Sequence, residues 1–356
     1  MSHPRTVAIV GCGIGNAHAQ AYRQLAGQFT LAAICDIDAA RARAFAETHG
    51  IPQVITDFDA LCHDEHIDVI DICTPPHLHH PQALQALAAG KHVICEKPLA
   101  SSLREADDLI AAAARARGRM MPIFQYRFGH GLQRLRHLQR AGVTGRAYLG
   151  TVETAWRRRA SYYEVPWRGR WATEGGGALL GHAIHAHDML GLILGPVRSV
   201  FCRATTLVNA IEVEDTAAAA LELADGALAT LAVTLGSSAE LTRHRVCFAN
   251  LVAESNTRPY SNSGEPWQFV GDSPAIDAAI ADALATFTPE PEGYAGQFSR
   301  FARALDDGGA LPVTLEDARD SLALVTALYA SARSGRPETL PIGPDHPLYA
   351  SWLPAS

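Results

Sequence analysis

The chain has 356 residues, 48% of them hydrophobic and 19% charged, with a formal net charge of −7. That length suits two cores better than one, and the acidic balance gives no electrostatic ground for a nucleic-acid partner. Seven scattered cysteines with no CxxC pair fit a reducing compartment, and no apolar run reaches the roughly 18 residues of a membrane helix.

In chain order, Thr6–Val10 reads as a β-branched strand that runs into Gly11-Cys12-Gly13-Ile14-Gly15 and an alanine-rich helix. Glycines follow the first strand at once, so no signal-peptide core is expected and the protein reads as soluble and cytoplasmic. Phe29–Cys35 is a second strand ending in Asp36, and a helix over 39–48 follows. Strands at 68–74, 91–95 and 120–125 alternate with helices at 81–89 and 103–117. Such alternation predicts a parallel sheet with helices on both faces.

The glycine pattern alone is a weak motif; its context is stronger. The glycines follow a strand, open a helix and precede an acid at the end of the next strand, 25 residues after Gly11. Gly11 permits the tight turn, Gly13 permits a pyrophosphate near the helix N-terminus, and Ile14 and Gly15 complete the turn. Asp36 suits a ribose 2′-hydroxyl and repels a 2′-phosphate, which favours NAD over NADP. Arg41, nearby in sequence, belongs to the same candidate set and pulls slightly the other way.

Thr74-Pro75-Pro76-His77-Leu78-His79-His80-Pro81 is the next loop at the same rim. Thr74, Pro75 and His79 are candidates for contact with cofactor or substrate; the alternative makes these histidines helix-start surface residues. Their spacing is not that of a closed zinc site, and no metal is expected. Gly90–Leu99 then delivers Glu96-Lys97-Pro98 to a strand tip, the edge where α/β domains bind ligands.

After Gln125-Tyr126-Arg127-Phe128 the pattern changes. A helix over 131–141 precedes strand-like stretches at 146–156, 197–207, 212–223, 227–236 and 243–252. These predict a large, open, mostly antiparallel sheet with helices on one face and another subunit on the other. Asn256–Pro266 reads as a polar surface loop. Helices follow near 276–286, 294–306 and 315–334. The expected division is a dinucleotide-binding domain over 1–125, a substrate and oligomerisation domain over 126–345, and a tail over 346–356.

Gly175-Gly176-Gly177 predicts close backbone approach, to a substrate or to the first domain. A helix starting near Ala178 places His182 and His185 on one face and turns His187 elsewhere. An imidazole that titrates near neutrality is suited to moving a hydroxyl proton. His185 and His182 are therefore candidates for catalysis and substrate contact. Tyr126, Arg127, Tyr163, Arg168 and Trp171 are candidates for gripping a polyol or its acidic substituent.

Taken together, GCGIG with His18 shortly after it, Asp36, TPPHLH at 74–79, AGKHVICEKPLA at 89–100, GGGALLGHAIHAHD at 175–188 and SARSGRPETLPI at 331–342 resemble the Gfo/Idh/MocA oxidoreductases. The resemblance implies an N-terminal Rossmann domain and a C-terminal α+β domain whose open sheet commonly forms dimers or tetramers. It implies NAD(P)-linked oxidation of a secondary hydroxyl in a sugar, sugar acid, cyclitol or glycoside, or reduction of the keto form. It also implies that Glu96 approaches the cofactor and Lys97 binds the reacting hydroxyl beside the nicotinamide. The Lys97–Pro98 bond is commonly cis in such proteins, and His185 matches the family's catalytic histidine. Relatives often carry an aspartate four residues before that histidine; this chain has Gly181. Some relatives use transient oxidation to cleave a glycosidic bond, which is one alternative. A non-catalytic NAD-binding regulator is another, opposed by the presence of both Lys97 and His185.

Overall fold

Side-chain caps punctuate the first half of the chain. Asp38, Asp57 and Ser102 each accept backbone N–H groups at the start of a helix. Ser102 shares its task with Glu105, which accepts the N–H of Ser101 at 2.8 Å. Such caps satisfy amide donors that a helix leaves unpaired at its N-terminus. The computed structural model describes residues 3–354. It divides into unit 1 (Met1–Phe124 with Tyr294–Asp320) and unit 2 (Gln125–Gly293 with Ser321–Ser356).

Unit 1 runs β1 (Arg5–Val10), α1 (Gly15–Arg23), β2 (Phe29–Cys35), α2 (Ala39–His49), β3 (Gln53–Ile55), α3 (Phe58–His63), β4 (Val69–Ile72), α4 (His79–Ala88), β5 (His92–Cys95), α5 (Leu103–Ala113) and β6 (Met120–Pro122). The strands form one parallel sheet in the order β3-β2-β1-β4-β5-β6. This is the doubly wound arrangement that the alternation predicts, with its chain reversal beside β1. The helix expected over 103–117 ends at Ala113. Central β4 is buried throughout, and one of its four residues is an acid, Asp71.

Unit 2 contains α6 (His130–Arg140), β7 (Ala147–Arg157), α7 (Trp171–Glu174), a π turn over Ala178–His182, α8 (Ile184–Leu194), β8 (Val197–Thr205), β9 (Thr216–Leu223), β10 (Leu228–Thr234), β11 (Gly236–Phe248), β12 (Leu251–Glu254), β13 (Gln268–Gly271) and α9 (Pro274–Ala285). Next, α10 (Gly293–Asp307) and the first turn of α11 (Leu315–Ser334) return the chain to unit 1. The rest of α11 and β14 (Glu338–Thr339) belong to unit 2. Its sheet has the order β13-β12-β11-β7-β10-β9-β8-β14, antiparallel at every pairing but β7 with β10.

Three expectations in this unit need correction. The strand expected over 212–223 starts at Thr216. Residues before it include the buried acids Glu214 and Asp215, and Asp215 accepts the N–H groups of Leu207, Val208 and Asn209 at 2.8–2.9 Å. A carboxylate there replaces ladder hydrogen bonds. The strand expected over 243–252 is two strands, β11 and β12, broken at Ala249-Asn250. The loop at 256–266 is only partly at the surface: Asn262 and Ser263 are buried. Asn262 satisfies His244 Nδ1 at 2.8 Å and accepts the Trp267 indole N–H on its carbonyl at 2.8 Å.

The tail is also drawn inward. Trp352 is fully buried, and its indole N–H donates to the Gly175 carbonyl at 2.6 Å.

Candidate functional site

In unit 1 the candidate cofactor residues gather at the C-terminal edge of the parallel sheet. Gly11 has φ +100°, and a Cβ there would lie 2.7 Å from the Cys73 carbonyl oxygen, so only glycine fits. At Gly13 a Cβ would meet nothing within 4 Å. The protein does not need that space for its own packing. It lies at the start of α1, where unpaired N–H groups and the helix dipole favour an anion. Ile14 beside it is 44% exposed.

Asp36 caps this edge. Its carboxylate accepts from Cys12 N at 3.1 Å, from Asp38 N at 3.0 Å and from the Arg41 guanidinium at 2.6 Å. Burial pushes its pKa up, but these hydrogen bonds outweigh burial and hold the group below the usual carboxylate range. The ionised acid lies beside the glycine turn, as a ribose-binding acid should. These features fit a dinucleotide: Gly11, Gly13, Ile14 and Gly15 would take the pyrophosphate, and Asp36 with Arg41 the adenosine ribose.

Thr74, Pro75 and His79 stand at the neighbouring strand tip. The Thr74 hydroxyl donates to Gln82 Oε1 at 2.6 Å. His79 is buried and its two ring nitrogens face the carbonyls of Pro98 at 2.7 Å and Thr74 at 2.8 Å. It ties the 74–79 loop to the loop after β5 rather than lying at the surface. Lys97 is half-buried there, followed by a cis bond to Pro98.

Glu96 turns toward the interior. Its Oε1 meets His18 Nε2 at 3.1 Å and accepts the Tyr294 hydroxyl at 2.9 Å, and Oε2 accepts the Lys97 N–H at 3.0 Å. His18 Nδ1 meets Asp71 Oδ2 at 2.8 Å, and Tyr22 donates to the same oxygen at 3.0 Å. Burial would strip the proton from His18, but the Asp71 charge and its hydrogen bond raise the pKa well above the ordinary value. A buried imidazolium between two acids thus backs Glu96. His18, Asp71 and Cys73 also have donor atoms within 4.8 Å of one another, a spacing that could hold a metal ion. Burial pushes the Cys73 thiol far up, so an ion held there would have to displace its proton. The sequence shows His18 near the glycines but carries no signal for its pairing with Asp71.

Unit 2 separates the histidines that the sequence placed on one helical face. His182 ends the π turn and His185 lies in the first turn of α8. His185 stacks on Tyr126, with ring centroids 4.7 Å apart and planes 17° apart. His182 Nε2 lies 3.1 Å from the Tyr162 hydroxyl and its ring packs edge-on to Trp156. His187 is fully buried, and burial drives its pKa down to about 3, so it stays neutral in the core.

The remaining candidates divide. Arg168 lies between the rings of Tyr162 and Trp167, 4.0 and 4.3 Å from their centroids. It donates to the Tyr162 hydroxyl and faces Glu174 Oε1 at 3.7 Å. Tyr163 packs edge-on to Tyr162, and among the described residues its buried hydroxyl has no hydrogen-bond partner, which leaves it a polar group for a ligand to satisfy. Arg127, in contrast, forms a bidentate pair with Asp188 at 2.7 and 2.6 Å. The Trp171 indole donates to the Glu212 carbonyl at 3.0 Å. Sequence reasoning missed the buried acid Glu174 and the cation Arg158, whose guanidinium lies over the rings of Trp156, Tyr162 and Tyr260.

The triple-glycine run makes the close approach expected of it, but to its own unit. A Cβ on Gly176 would lie 2.3 Å from the Tyr329 hydroxyl, and one on Gly177 would lie 1.8 Å from the Glu214 carbonyl oxygen. The Glu214 carboxylate accepts N–H groups from Gly177 and Leu179 and the Tyr329 hydroxyl.

Comparison with known proteins supplies an independent reading. Residues 5–124 match the family model described as an oxidoreductase family, NAD-binding Rossmann fold, and residues 132–249 match the GFO/IDH/MocA C-terminal domain. The chain is 25% identical to the uncharacterized oxidoreductase YrbE of Bacillus subtilis, over 96% of this chain and 98% of that one. It is 34% identical to D-glucoside 3-dehydrogenase of Escherichia coli over 54% of this chain, spanning about half (55%) of that protein. The WlbA dehydrogenase of Bordetella pertussis, solved with NADH and UDP-GlcNAcA, shares 28% identity and a TM-score of 0.84, covering 96% of this chain and 100% of that one.

Proposed function

Because the chain belongs to the GFO/IDH/MocA family of NAD-linked oxidoreductases, we propose that it oxidises a secondary hydroxyl of a sugar, sugar acid, cyclitol or glycoside, or reduces the corresponding ketone. The observation that carries this reading is the space at Gly13 beside the ionised Asp36. A relative named for glucosides, and a structural relative solved with a nucleotide sugar acid, support a carbohydrate-like substrate.

When bound, NAD supplies a hydride acceptor. Gly11, Gly13, Ile14 and Gly15 hold its pyrophosphate, Asp36 and Arg41 select the ribose, and Thr74, Pro75, His79 and Glu96 shape the strand-tip edge. Asp36 favours NAD over NADP. Lys97 binds the reacting hydroxyl and its charge stabilises alkoxide character in the transition state. His185 accepts the hydroxyl proton, held in orientation by the Tyr126 ring. His182, Tyr163 and Arg168 form the sugar-facing wall. The expected division gives residues 1–125 to the cofactor, 126–345 to substrate and the oligomer contact, and 346–356 to a tail, except that residues 294–320 belong to unit 1.

A homodimer or homotetramer through the unit 2 sheet belongs to the same reading. Leu149 and Leu228 are register partners on β7 and β10, and both are exposed, as is Phe201 on β8. Among the described residues no helix is long and apolar enough to cross a membrane, and the free cysteines suit a cytoplasmic site. The acidic net charge opposes a nucleic-acid partner.

The test is a panel of cyclitols, aldoses, uronates, anhydrosugars and glycosides, read by NADH absorbance and product analysis. Turnover of at least one compound is expected, and Lys97→Ala should keep NAD binding while losing turnover. A Lys97→Ala enzyme with full turnover overturns the assignment. Aglycone release with no net NADH would instead identify the glycoside-cleaving alternative.

A further inference from the structure

Glu174 is the last residue of α7 and is buried. Its Oε2 accepts the Gly169 N–H at 2.5 Å. Its Oε1 lies 3.7 Å from the Arg168 guanidinium and borders the π turn. A Cβ built on Gly181 would stand 3.6 Å from Glu174 Oε1, and beyond its own turn nothing else among the described residues lies within 4 Å. Gly181 does not have the positive φ that favours glycine. Neither backbone strain nor packing therefore demands glycine at 181. The position is bare, and the atom facing it is a carboxylate oxygen brought from another segment.

The polar atoms around this carboxylate have an order. A guanidinium only donates, so Arg168 donates to the Tyr162 oxygen. The Tyr162 hydroxyl lies 3.1 Å from His182 Nε2. With the hydroxyl as donor, the ring proton of His182 sits on Nδ1. The rings of Tyr162 and Trp167 pack against the Arg168 guanidinium, which shields it in part and strengthens its attraction to Glu174.

We propose that Glu174 is a positioning residue of the substrate site, holding Arg168 on Tyr162 and thereby Tyr162 on His182, and that the carboxylate facing position 181 is supplied from 174. The inference rests on the reading of His182 and Arg168 as part of the sugar-facing wall. It predicts that the negative charge can be moved from 174 to 181 with function kept.

The experiment compares Glu174→Gln with the double variant Glu174→Gln/Gly181→Asp, using the best compound of the sugar panel. Glu174→Gln should lower kcat by about a hundredfold, the scale of a misplaced reacting group, with NADH affinity unchanged. The double variant should regain at least about tenfold of that loss, which a carboxylate needed only for the Gly169 N–H would not allow. Wild-type kcat in Glu174→Gln overturns the proposal; so does a folded, NADH-binding double variant with no recovery. A second measurement needs no substrate and no variant: nitrogen NMR of the histidine-labelled wild type should show His182 as the Nδ1–H tautomer. An Nε2–H tautomer overturns the relay. If no panel compound is turned over, the oxidoreductase reading has failed, and the tautomer still decides the relay on its own.

Discussion

Two glycine runs in this chain resemble one another in sequence and do opposite things. At Gly11–Gly15 one missing side chain, that of Gly13, faces open space at a helix N-terminus. At Gly175–Gly177 the missing side chains of Gly176 and Gly177 are filled by Tyr329 and by Glu214 of the same unit. The first run leaves room for something the chain does not contain. The second lets the chain close on itself, and Trp352 pins its start through the Gly175 carbonyl. A glycine cluster therefore signals close approach, and only the surroundings say whether the approaching atoms are a ligand's or the protein's.

Alanine substitution should separate the two runs. In Gly177→Ala the new Cβ would fall 1.8 Å from the Glu214 carbonyl oxygen, a backbone atom that cannot swing away. The expected cost is at least about 3 kcal/mol, at the upper end for overpacking, read by denaturant unfolding. A cost below about 1 kcal/mol would show that the run is not packed in this way.

The second test concerns the acid that fills the packed run. Burial pushes the Glu214 carboxyl up from 4.5 to about 7 despite the N–H groups of Leu179 and Gly177 and the Tyr329 hydroxyl. The folded state thus holds this proton more tightly than the unfolded chain. Its contribution to stability is full below pH 4.5 and is lost as pH rises through about 7. The total change is about 3 kcal/mol across that window. Glu214→Gln should flatten this slope, measured as unfolding free energy against pH. An unchanged slope would assign it to other groups.

The smallest structural effect belongs to the open run. Gly13→Ala places its Cβ in empty space and should alter unfolding by under about 0.5 kcal/mol. NADH affinity should nevertheless fall about tenfold, or about 1.4 kcal/mol, by fluorescence titration. Unchanged affinity would remove Gly13 from the cofactor site and erase the contrast between the runs.

Much of unit 1 was legible because its signals are local. Strand-helix alternation, the turn after β1 and the acid ending β2 all lie within a few residues of what they do. The bounds of α11 and the turn glycine Gly335 after it, with φ +68°, were legible for the same reason. The 256–266 loop was misread because polar residues usually mean solvent, whereas Asn262 is buried to satisfy His244. Arg127 and Trp171 were singled out by residue type alone. Their partners Asp188 and Glu212 are 61 and 41 positions away, beyond any periodicity. Glu174 was hidden by its ordinary setting, an acid before three glycines, with nothing in the sequence to mark its approach to Gly181.

Read along the chain alone, the residues already specify the alternation that builds a parallel sheet, the turn that leaves a helix N-terminus open, and the residue types at each strand tip. These follow from backbone sterics and hydrophobic period, which act over a few residues. Tertiary structure decided which charged groups meet: His18 with Asp71 and Glu96, Glu214 with the π turn, and Glu174 with the bare position at 181. The first two of these join atoms across long stretches of chain. They are enforced by the cost of burying a polar group without a partner, a cost that no local pattern reveals.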